Sequence, residues 1–364
     1  MHQEDVHWMQ LALKEGELGR FYAAPNPSVG CVLVRDGREI SRGHTQPPGG
    51  NHAEIEAIEA AKRSGISVRG STAYVTLEPC SHQGRTPPCA RRLLDEGIAR
   101  VVYAVDDPNP LVHGAGAKIL RDGGVEVEAG VCEKEARSAH AGFFSRIVRE
   151  RPWVRMKVAV TLDGRTALEN GQSKWITAEA ARSDAHLYRA RAQGLLTGIG
   201  TILADNPTMN VRLSGGFPSP VKYVIDPRAE TPTNAALLSG KKTVLFVSEN
   251  ASEKKMQQLV CAGAEVVPFS VDQNGHFNLQ DVLKEIGRRG VNELHVEAGA
   301  NLNGALLSEG LVDELLVYMA PALMGKGLAL ADFAPKTSMD AVDRWEFDSV
   351  CRIGADIRLI LKKS

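Results

Sequence analysis

The sequence predicts an α/β protein with two domains that meet near residue 150. Its 364 residues provide room for about two domains at roughly 150 residues each. Short β-branched segments alternate with segments of helical spacing along the chain, which is typical of α/β domains. The dipeptide Arg151-Pro152 interrupts this alternation, because the residue before a proline disfavours helix. We therefore expect one domain at residues 1–148 and a second at residues 152–364.

The first domain is predicted to consist of alternating helices and strands. Apolar residues at helical spacing, or an Ala- and Glu-rich composition, indicate its helices, and short β-branched runs indicate its strands. Gly97 follows the third helix, where a glycine commonly ends a helix. The predicted helices span residues 4–14, 52–62, 90–96, 115–122 and 136–149, and the predicted strands span residues 29–34, 74–77, 101–105 and 125–128.

The second domain shows the same alternation, beginning at Trp153. Strands that alternate with helices favour a largely parallel sheet. The predicted strands span residues 154–160, 195–197, 221–225, 243–247, 293–297, 314–319 and 356–361, and the predicted helices span residues 178–192, 253–261, 279–288 and 302–308.

Composition and charge exclude several classes of protein. Hydrophobic residues make up 43% and charged residues 24%, which excludes a disordered chain, a collagen-like repeat and a coiled-coil rod. Residues 1–150 carry a net charge of −2 and the remainder +1, so neither part favours nucleic-acid binding. No apolar run approaches the ~20 residues that cross a bilayer, and the first residues lack the features of a signal peptide. We expect no membrane and no nucleic-acid partner.

The six cysteines are sparse for a chain of this length, unlike those of a disulfide-stabilised secreted domain. We therefore expect a reducing, cytoplasmic setting, in which paired cysteines indicate metal ligands or catalytic groups. Cys31, Cys132, Cys261 and Cys351 are expected to be small buried hydrophobic residues.

The sharpest motif is His52-Ala53-Glu54, followed by Pro79-Cys80 and then Cys89. One imidazole and two thiolates supply three zinc ligands and leave a fourth position open, as in catalytic zinc sites. Zinc lowers the pKa of bound water, and Glu54 is expected to carry the proton from that water to the departing amine. This pairing of H-x-E with P-C is the signature of zinc-dependent base deaminases. His52 and Glu54 suit the first turn of a helix, because residues two apart do not share a helix face.

The alternative to a zinc site is a helix with an ordinary surface glutamate and unrelated buried cysteines. The order of the motifs, with Pro-Cys and a second cysteine after an intervening strand, favours the zinc site. The chain departs from the general deaminase pattern, which has two residues between its cysteines. Here eight residues, Ser81 to Pro88, separate Cys80 from Cys89, and they are expected to form a loop over the metal.

The second domain lacks the common nucleotide-binding motifs. Gly198-Ile199-Gly200 has no third glycine, and no Gly-x4-Gly-Lys segment is present, which disfavours a Rossmann domain and a P-loop hydrolase. The predicted strand 293–297 runs into the small residues 298–304 and a helix. Small residues let a ligand approach the backbone, and helix N-termini attract phosphate. A tight strand–helix connection without a ligand remains the alternative.

Residues 79–89, PCSHQGRTPPC, closely resemble the cysteine loop of the bifunctional riboflavin-biosynthesis deaminase/reductase family. Residues 26–30, His44, residues 52–54 and residues 107–110 also match that family. The resemblance implies a cytidine-deaminase-like three-layer domain with Glu54 as catalytic residue and His52, Cys80 and Cys89 as zinc ligands. It implies a phosphorylated small-molecule substrate, a diaminopyrimidinone with a phosphoribosylamino group, whose 2-amino group is replaced by water. The substrate contacts that it implies are Asn26, His44, His82, Arg85 and Asp107.

Each of these contacts has a structural alternative. Asn26-Pro27 could form a turn before a strand, and Asp107 belongs to a segment that could form a turn after one. His44 and His82 could be satisfied loop histidines, and Arg85 a solvated loop residue. A phosphorylated substrate would give the Arg85 guanidinium a purpose.

The second domain is similar to the reductase half of the same family at residues 157–165, 173–177, 203–207 and 296–299. The resemblance implies a dihydrofolate-reductase-like fold, NADPH as cofactor and hydride delivery to C1′ of the ribose. The implied NADPH contacts are Ala159, Trp175, Thr201, Asp205, Gly299, Ala300, Asn301, Leu302, Asn303, Gly304 and Ala305. The implied substrate contacts are Ser173, Arg189, Met209, Arg212 and Glu297, of which the two arginines suit a phosphate. Pro227 follows Ile225-Asp226 at the position where many relatives have a small hydroxyl residue, and Asp163-Gly164 fits a turn between strands.

Two rival functions remain at this stage. One is a zinc deaminase that acts on a free base or a tRNA base and is fused to a ligand-sensing domain. The other is a non-catalytic protein with structural zinc, which the presence of only three evident ligands beside Glu54 disfavours. We also expect a homo-oligomer formed through the reductase domain.

Overall fold

The computed structural model describes residues 3–81, 88–110 and 112–363. The chain forms two compact units, Met1–Glu150 and Arg151–Ser364. Each unit has its own sheet and its own hydrophobic core.

The first unit contains a five-stranded sheet and six helices among its described residues. The helices are α1 Gln3–Gly19, α2 Ala53–Arg63, α3 Cys89–Asp95, α4 Ala115–Asp122, α5 Glu133–Ala139 and α6 Ala141–Val148, and the strands are β1 Gly30–Arg35, β2 Arg38–His44, β3 Thr72–Val75, β4 Arg100–Tyr103 and β5 Glu126–Ala129. The strand order is β2-β1-β3-β4-β5. β1 is antiparallel to both of its neighbours, whereas β3, β4 and β5 are parallel.

Two glycines show how closely helices cover both faces of this sheet. A Cβ at Gly30 would lie 1.9 Å from the Ala12 oxygen of α1, and a Cβ at Gly43 would lie 2.5 Å from the Ala57 nitrogen of α2. Gly43 pairs with Cys31, the neighbour of Gly30. Because successive strand residues point to opposite faces, α1 and α2 pack on opposite faces. The unit is therefore a three-layer α/β structure, and α2 is held against the end of β2.

Three sequence-based expectations are wrong, two for this unit and one for cysteines of both units. The predicted helix 136–149 is two helices, α5 and α6, because the backbone at His140 leaves the helical region. Strand β2 was not predicted, since its residues REISRGH are polar and mostly exposed. It forms through a tight hairpin at Asp36 and Gly37, which both have positive φ, as two-residue hairpin turns require. Of the four cysteines expected to be buried, only Cys31 is buried. Cys132 and Cys351 are half-buried, and Cys261 is exposed.

The second unit contains a nine-stranded sheet and a two-stranded ribbon. Its strands are β6 Trp153–Thr161, β7 Arg165–Leu168, β8 Gly194–Gly198, β9 Val221–Ile225, β10 Thr243–Ser248, β11 Ala264–Phe269, β12 Glu293–Val296, β13 Glu314–Ala320, β14 Gly327–Ala329, β15 Trp345–Ile353 and β16 Asp356–Lys363. Its α-helices are α7 Glu179–Arg191, α8 Ile199–Asp205, α9 Glu253–Cys261, α10 Leu279–Arg288 and α11 Ala300–Ser308.

The large sheet has the order β11-β10-β9-β8-β12-β6-β13-β16-β15, and β7 pairs with β14. The strands from β11 to β13 are parallel, and β16 and β15 extend the sheet in antiparallel fashion. The predicted turn at Asp163-Gly164 is present between β6 and β7. Strands β7, β11, β14 and β15 and helix α8 were not predicted, because they are short, polar or, like β11, interrupted by proline.

A fully buried arginine lies between the sheet of the second unit and α7. Arg155 of β6 donates to Glu293 of β12 at 3.0 Å and to Glu314 of β13. Burial opposes its charge, but the two carboxylates raise the pKa of the guanidinium. Arg191 of α7 donates to Glu293 at 2.8 Å, and the Arg155 guanidinium also lies 5.3 Å from the ring centre of Tyr188. Removing one member of such a network leaves a buried charge without a partner.

We therefore expect Arg155→Met to lower the free energy of unfolding of the second unit by about 3–5 kcal/mol. Glu314 would lose its buried partner, whereas Glu293 keeps Arg191. A Trp8→Phe background restricts tryptophan fluorescence to the second unit, since the other tryptophans follow residue 150. Urea unfolding of the double variant Arg155→Met/Glu314→Gln is the control, because it removes both charges. No recovery in the double variant would contradict this account.

Candidate functional site

Three potential metal ligands converge at the N-termini of α2 and α3. His52 is the N-cap residue of α2, and Cys89 is the first residue of α3. Cys80 lies in the segment that leaves β3. The prediction that His52 and Glu54 stand in the first turn of a helix is confirmed, and the helix predicted at residues 90–96 begins one residue earlier, at Cys89. Unpaired amide N–H groups at a helix N-terminus favour the thiolate form of a nearby cysteine.

The distances among these ligands suit a zinc ion. Nδ1 of His52 lies 3.6 Å from Sγ of Cys80 and 3.3 Å from Sγ of Cys89. All three ligand atoms lie within 4.8 Å of one another. Ligands held tetrahedrally at ~2.1–2.3 Å from zinc stand roughly 3.5–3.8 Å apart. Nitrogen and sulfur ligands at these separations therefore fit zinc, with a fourth position left for water or substrate.

Glu54 is buried beside the two thiols. Burial first, and then the charge of Cys80, raise the pKa of its carboxyl to about 7. A hydrogen bond from Cys89 lowers the pKa of Cys80 to about 4, and the hydrogen bond with Cys80 raises that of His52 to about 9. The site thus stabilises negative charge on Cys80 before any cation binds. A carboxyl poised near neutrality is suited to proton transfer.

The predicted substrate contacts of the first unit have different surroundings. Nδ1 of His44, at the end of β2, lies 2.7 Å from Oε1 of Glu15 on α1. Asn26 is half-buried in the turn before β1. Asp107 is buried after β4, where its Oδ1 accepts from the Asn109 amide at 2.8 Å. His82 and Arg85 lie outside the described residues. Glu15 was not predicted, because sequence spacing does not bring α1 to β2.

In the second unit, several parallel strands end at the same edge of the sheet. β8 pairs with β9 and with β12, and β12 also pairs with β6. α8 begins directly after β8, and residues 297–299 separate β12 from α11. Ligands of open α/β sheets bind at carboxyl ends of this kind, where the strand order reverses. A Cβ at Gly200 or Gly299 would meet no atom within 4 Å, so a ligand can approach the backbone there.

The NADPH candidates lie on several elements of this unit. Ala159 lies on β6, Thr201 on α8, and Asp205 at the end of α8. Lys174 and Asp205 form an exposed ion pair of 3.6 Å, and the neighbouring exposed Trp175 stacks on Arg182 at 4.5 Å. The buried hydroxyl of Thr197 has no hydrogen-bond partner among the described residues. These polar groups and the open glycines fit a dinucleotide.

The candidates on α11 divide into open and covered positions. Gly299 is the N-cap residue, and α11 begins at Ala300. Asn301 is exposed, whereas Leu302 and Ala305 are half-buried. Asn303 donates to the Ala298 and Leu330 carbonyls, and a Cβ at Gly304 would collide with the Asp332 carbonyl. Asn303 and Gly304 thus hold the segment from Leu330 to Asp332 against α11.

Asp226, which follows β9, is buried and accepts hydrogen bonds from Glu230 and Thr231.

The substrate candidates of the second unit include a bidentate ion pair. Arg189 of α7 donates to both Glu297 oxygens at 2.8 Å, and to the Asn210 carbonyl at 2.7 Å. Burial opposes ionisation of Glu297, but the Arg189 charge holds its pKa well below the ordinary value. Lys157 on β6 was not predicted as a site residue, and its charge also favours the Glu297 carboxylate. The Lys157 pKa is lowered by burial.

The loop that follows α8 carries two further candidates. Met209 is buried with a positive φ of 50°, a strained conformation that is frequent at functional sites. Nδ1 of His186 accepts from the Arg212 amide at 3.3 Å. Burial and nearby arginines lower the His186 pKa to about 4, so that its ring stays neutral. Arg212 is exposed, and Ser173 is half-buried.

Two protein-family models match the chain. The model described as cytidine and deoxycytidylate deaminase zinc-binding region matches residues 2–105, and the model described as RibD C-terminal domain matches residues 152–359. The second match covers more than half of the chain. The chain belongs to the RibD family of riboflavin-biosynthesis proteins. The resemblance inferred from the cysteine loop is thereby confirmed.

Full-length relatives agree with this assignment. The chain is 37% identical to the riboflavin biosynthesis protein RibD of Aquifex aeolicus, covering 99% of this chain and 98% of that protein. It is also 37% identical to RibD of Escherichia coli, covering 98% and 99%. The crystallised Acinetobacter baumannii RibD superposes with a TM-score of 0.89 at 37% identity, covering 100% of this chain and 99% of that one.

A solved structure from Thermotoga maritima belongs to a protein named for both activities. It is a diaminohydroxyphosphoribosylaminopyrimidine deaminase/5-amino-6-(5-phosphoribosylamino)uracil reductase, with a TM-score of 0.88 at 30% identity, covering 100% of this chain and 99% of that one.

The predicted fold class is confirmed: a cytidine-deaminase-like domain precedes a dihydrofolate-reductase-like reductase domain. The chain is a bifunctional enzyme with a zinc-binding deaminase domain and a reductase domain. The rival functions, a deaminase fused to a sensor and a structural zinc protein, are excluded by these matches. Among the described residues, the helices are too short or too polar to span a bilayer.

We expect Cys80→Ser and Cys89→Ser each to lose zinc, because both thiolates are predicted ligands and serine is a much poorer zinc donor. The wild-type protein should contain about one zinc ion per chain, measured by elemental analysis after gel filtration. Cys261→Ser is the control, since this exposed thiol lies in the second unit. Full zinc content in both ligand variants would reject the assignment.

Proposed function

We propose that residues 1–148 deaminate a diaminopyrimidinone that carries a phosphoribosylamino group, and that residues 152–364 reduce the ribose of the product with NADPH. The observation that carries this proposal is the convergence of His52, Cys80 and Cys89 beside the buried Glu54. The compact units Met1–Glu150 and Arg151–Ser364 support the domain boundaries. The activities for which the full-length Thermotoga maritima relative is named support the substrate class.

In the deamination, water adds to the ring carbon that bears the 2-amino group. The carbon–nitrogen bond then breaks, ammonia leaves and a carbonyl remains. Zinc, held by His52, Cys80 and Cys89, supplies a Lewis acid that lowers the pKa of water. Glu54 takes the water proton and returns it to the departing amine. Its raised pKa lets the same carboxyl act as base and then as acid near neutral pH.

Substrate binding in this domain is assigned to Asn26, His44, His82, Arg85 and Asp107. A neutral imidazole carries one proton. When Nδ1–H of His44 donates to Glu15, Nε2 is therefore left as an acceptor that can face the substrate. The fixed Asp107 carboxylate offers an acceptor for the exocyclic amines of the pyrimidine. Arg85 supplies a cation for the phosphate.

In the reduction, C1′ of the ribose receives a hydride, its bond to the ring oxygen opens, and that oxygen takes a proton. Thr201, Asp205 and the segment Gly299–Ala305 would hold NADPH, which would supply the hydride. Trp175 and Ala159 are assigned to the same cofactor site. Asp205 lies at the end of α8, where its carboxylate can steer the substrate or relay the proton.

Phosphate binding in the reductase domain rests chiefly on Arg212. Both Glu297 oxygens already engage Arg189, so Arg189 first fixes Glu297 and the Asn210 loop. Arg212 is exposed, and its backbone is held by His186. Glu297, Ser173 and Met209 complete the proposed substrate contacts.

We propose further that the protein works in the reducing cytoplasm, because its two zinc thiolates must remain unoxidised. It is proposed to act on a small molecule rather than a nucleic acid, since neither half carries a strong positive charge.

The second domain is proposed to mediate pairing with a second copy of the chain. β15 ends the sheet order and, with β16, exposes the apolar side chains of Phe347, Val350 and Ile357. An exposed edge strand with apolar side chains favours pairing with another strand. A second copy of the chain presents the same edge strand, so the two edges can pair strand to strand.

The two activities should be separable by point mutation. Glu54→Gln keeps the side-chain shape but removes the proton acceptor, so ammonia release should fall by about 10²- to 10⁴-fold with zinc retained. Asp205→Asn should reduce NADPH oxidation with deaminated substrate by roughly tenfold to a hundredfold. Each variant serves as the control for the other, at equal concentrations of folded protein. Parallel loss of both rates in both variants would reject two independent sites.

Phe347→Asp should convert an oligomer of the wild type into monomers, because a charge at the exposed edge opposes strand pairing. Sedimentation velocity of both proteins measures the change. Leu18→Asp alters an equally exposed apolar residue in the first unit and should leave the oligomer intact. A monomeric wild type, or an oligomer that persists in Phe347→Asp, would contradict the proposal.

A further inference from the structure

Glu78 is a buried carboxylate to which the reaction assigns no role. Its side chain is 3% exposed and lies two residues before Cys80, in the segment that leaves β3. Four backbone N–H groups donate to it, from residues far along the chain. They are Gly114 at 2.9 Å and Asp107 at 3.4 Å on Oε2, and Gly116 at 3.0 Å and Ala117 at 3.2 Å on Oε1.

These donors belong to two structures, the loop after β4 and the first turn of α4. The N-cap residue of α4 is Gly114, which has no side chain to accept a hydrogen bond. Glu78 therefore supplies the cap from another segment, and its negative charge is favourable at a helix N-terminus. Hydrogen bonds to an ionised acceptor are stronger than those between neutral groups.

The same carboxylate is tied to the metal ligand. Gly116 packs so closely on the neighbouring Pro79 that a Cβ at Gly116 would lie 1.8 Å from the Pro79 oxygen. The Glu78 amide donates to the Val105 carbonyl at 2.9 Å. Residues 78–80 are thus held both by the loop after β4 and by α4. Cys80 follows Pro79 directly, so its backbone position is set by these contacts.

The geometry points to Glu78 as a positioning residue that sets two parts of the deaminase site together, the zinc ligand Cys80 and the substrate contact Asp107. One Glu78 oxygen accepts from the Asp107 amide, and the Asp107 side chain is held by the Asn109 amide. The role toward Asp107 rests on the function proposed above. The role toward Cys80 rests on the metal centre alone.

Glu78→Gln tests this role with little change in shape. The amide NH₂ would face backbone N–H donors that the carboxylate accepts, so about half of the four hydrogen bonds would be lost. We expect the deaminase KM to rise by roughly tenfold or more, with a smaller fall in kcat. We also expect faster release of zinc to a chromogenic chelator. Reduction of deaminated substrate should be unchanged, because its residues lie in the other unit.

Tyr74→Phe is the matched control for a loss of stability alone. The Tyr74 hydroxyl donates to Asp5 at 2.7 Å within the same unit, and Tyr74 lies on the face covered by α1. Its removal should lower the melting temperature without altering KM or zinc release. Equal changes of KM and zinc release in Tyr74→Phe and Glu78→Gln would overturn the proposal, as would wild-type values in a folded Glu78→Gln.

Gly116→Ala tests the same contact from the helix side and decides the matter if Glu78→Gln does not fold. The added methyl must push α4 away from Pro79 while Glu78 stays intact, so KM and zinc release should again increase. A folded Gly116→Ala with wild-type values of both would overturn the proposal. Zinc release does not depend on the substrate. Absence of ammonia release by the wild type would therefore reject the proposed function and leave the test of Glu78 in place.

Discussion

The direction of parallel strands is the constraint on which both active sites depend. Parallel strands place their carboxyl ends at one edge of a sheet, and the connections that follow them begin there. In the first unit, Cys80 and Asp107 follow the neighbouring parallel strands β3 and β4. In the second unit, Glu297 follows β12 and Gly198 ends the neighbouring β8. The strand direction thereby brings residues that are distant in sequence to one edge of each sheet.

Helix N-termini at these edges then determine which chemistry is favourable. His52 and Cys89 stand at the starts of α2 and α3, and Glu78 caps α4. Their partly positive ends stabilise thiolates and carboxylates. The second unit uses ion pairs instead, since Arg189 and Lys157 compensate the burial of Glu297. The two units thus hold buried negative charge in different ways.

The sequence predicted the zinc ligands because the identity and order of a few residues determine that chemistry. It also predicted most parallel strands, whose β-branched residues are buried in the core. It failed where tertiary contacts override local pattern. The polar strand β2 forms because the hairpin at Asp36 and α2 hold it, and α5 and α6 separate at His140 within a segment of continuous helical pattern.

The partners of the site residues were also beyond the sequence. Glu15 reaches His44, and Glu78 reaches Asp107 and α4, across separations that spacing rules do not cover. Lys157 was part of a matched motif, but its closeness to Glu297 follows only from the neighbouring strands β6 and β12. Such partners depend on the complete topology.

The ion pair between Lys174 and Asp205 has a consequence for the loop that carries Trp175. The side chains of Lys174 and Asp205 are 58% and 43% exposed, and exposed charges attract each other weakly in water. At physiological ionic strength the Debye length is about 8 Å, so dissolved counter-ions compete with this pair. The attachment of the loop to α8 therefore weakens as salt is added, so the ionic strength of the solvent influences how firmly this loop is held.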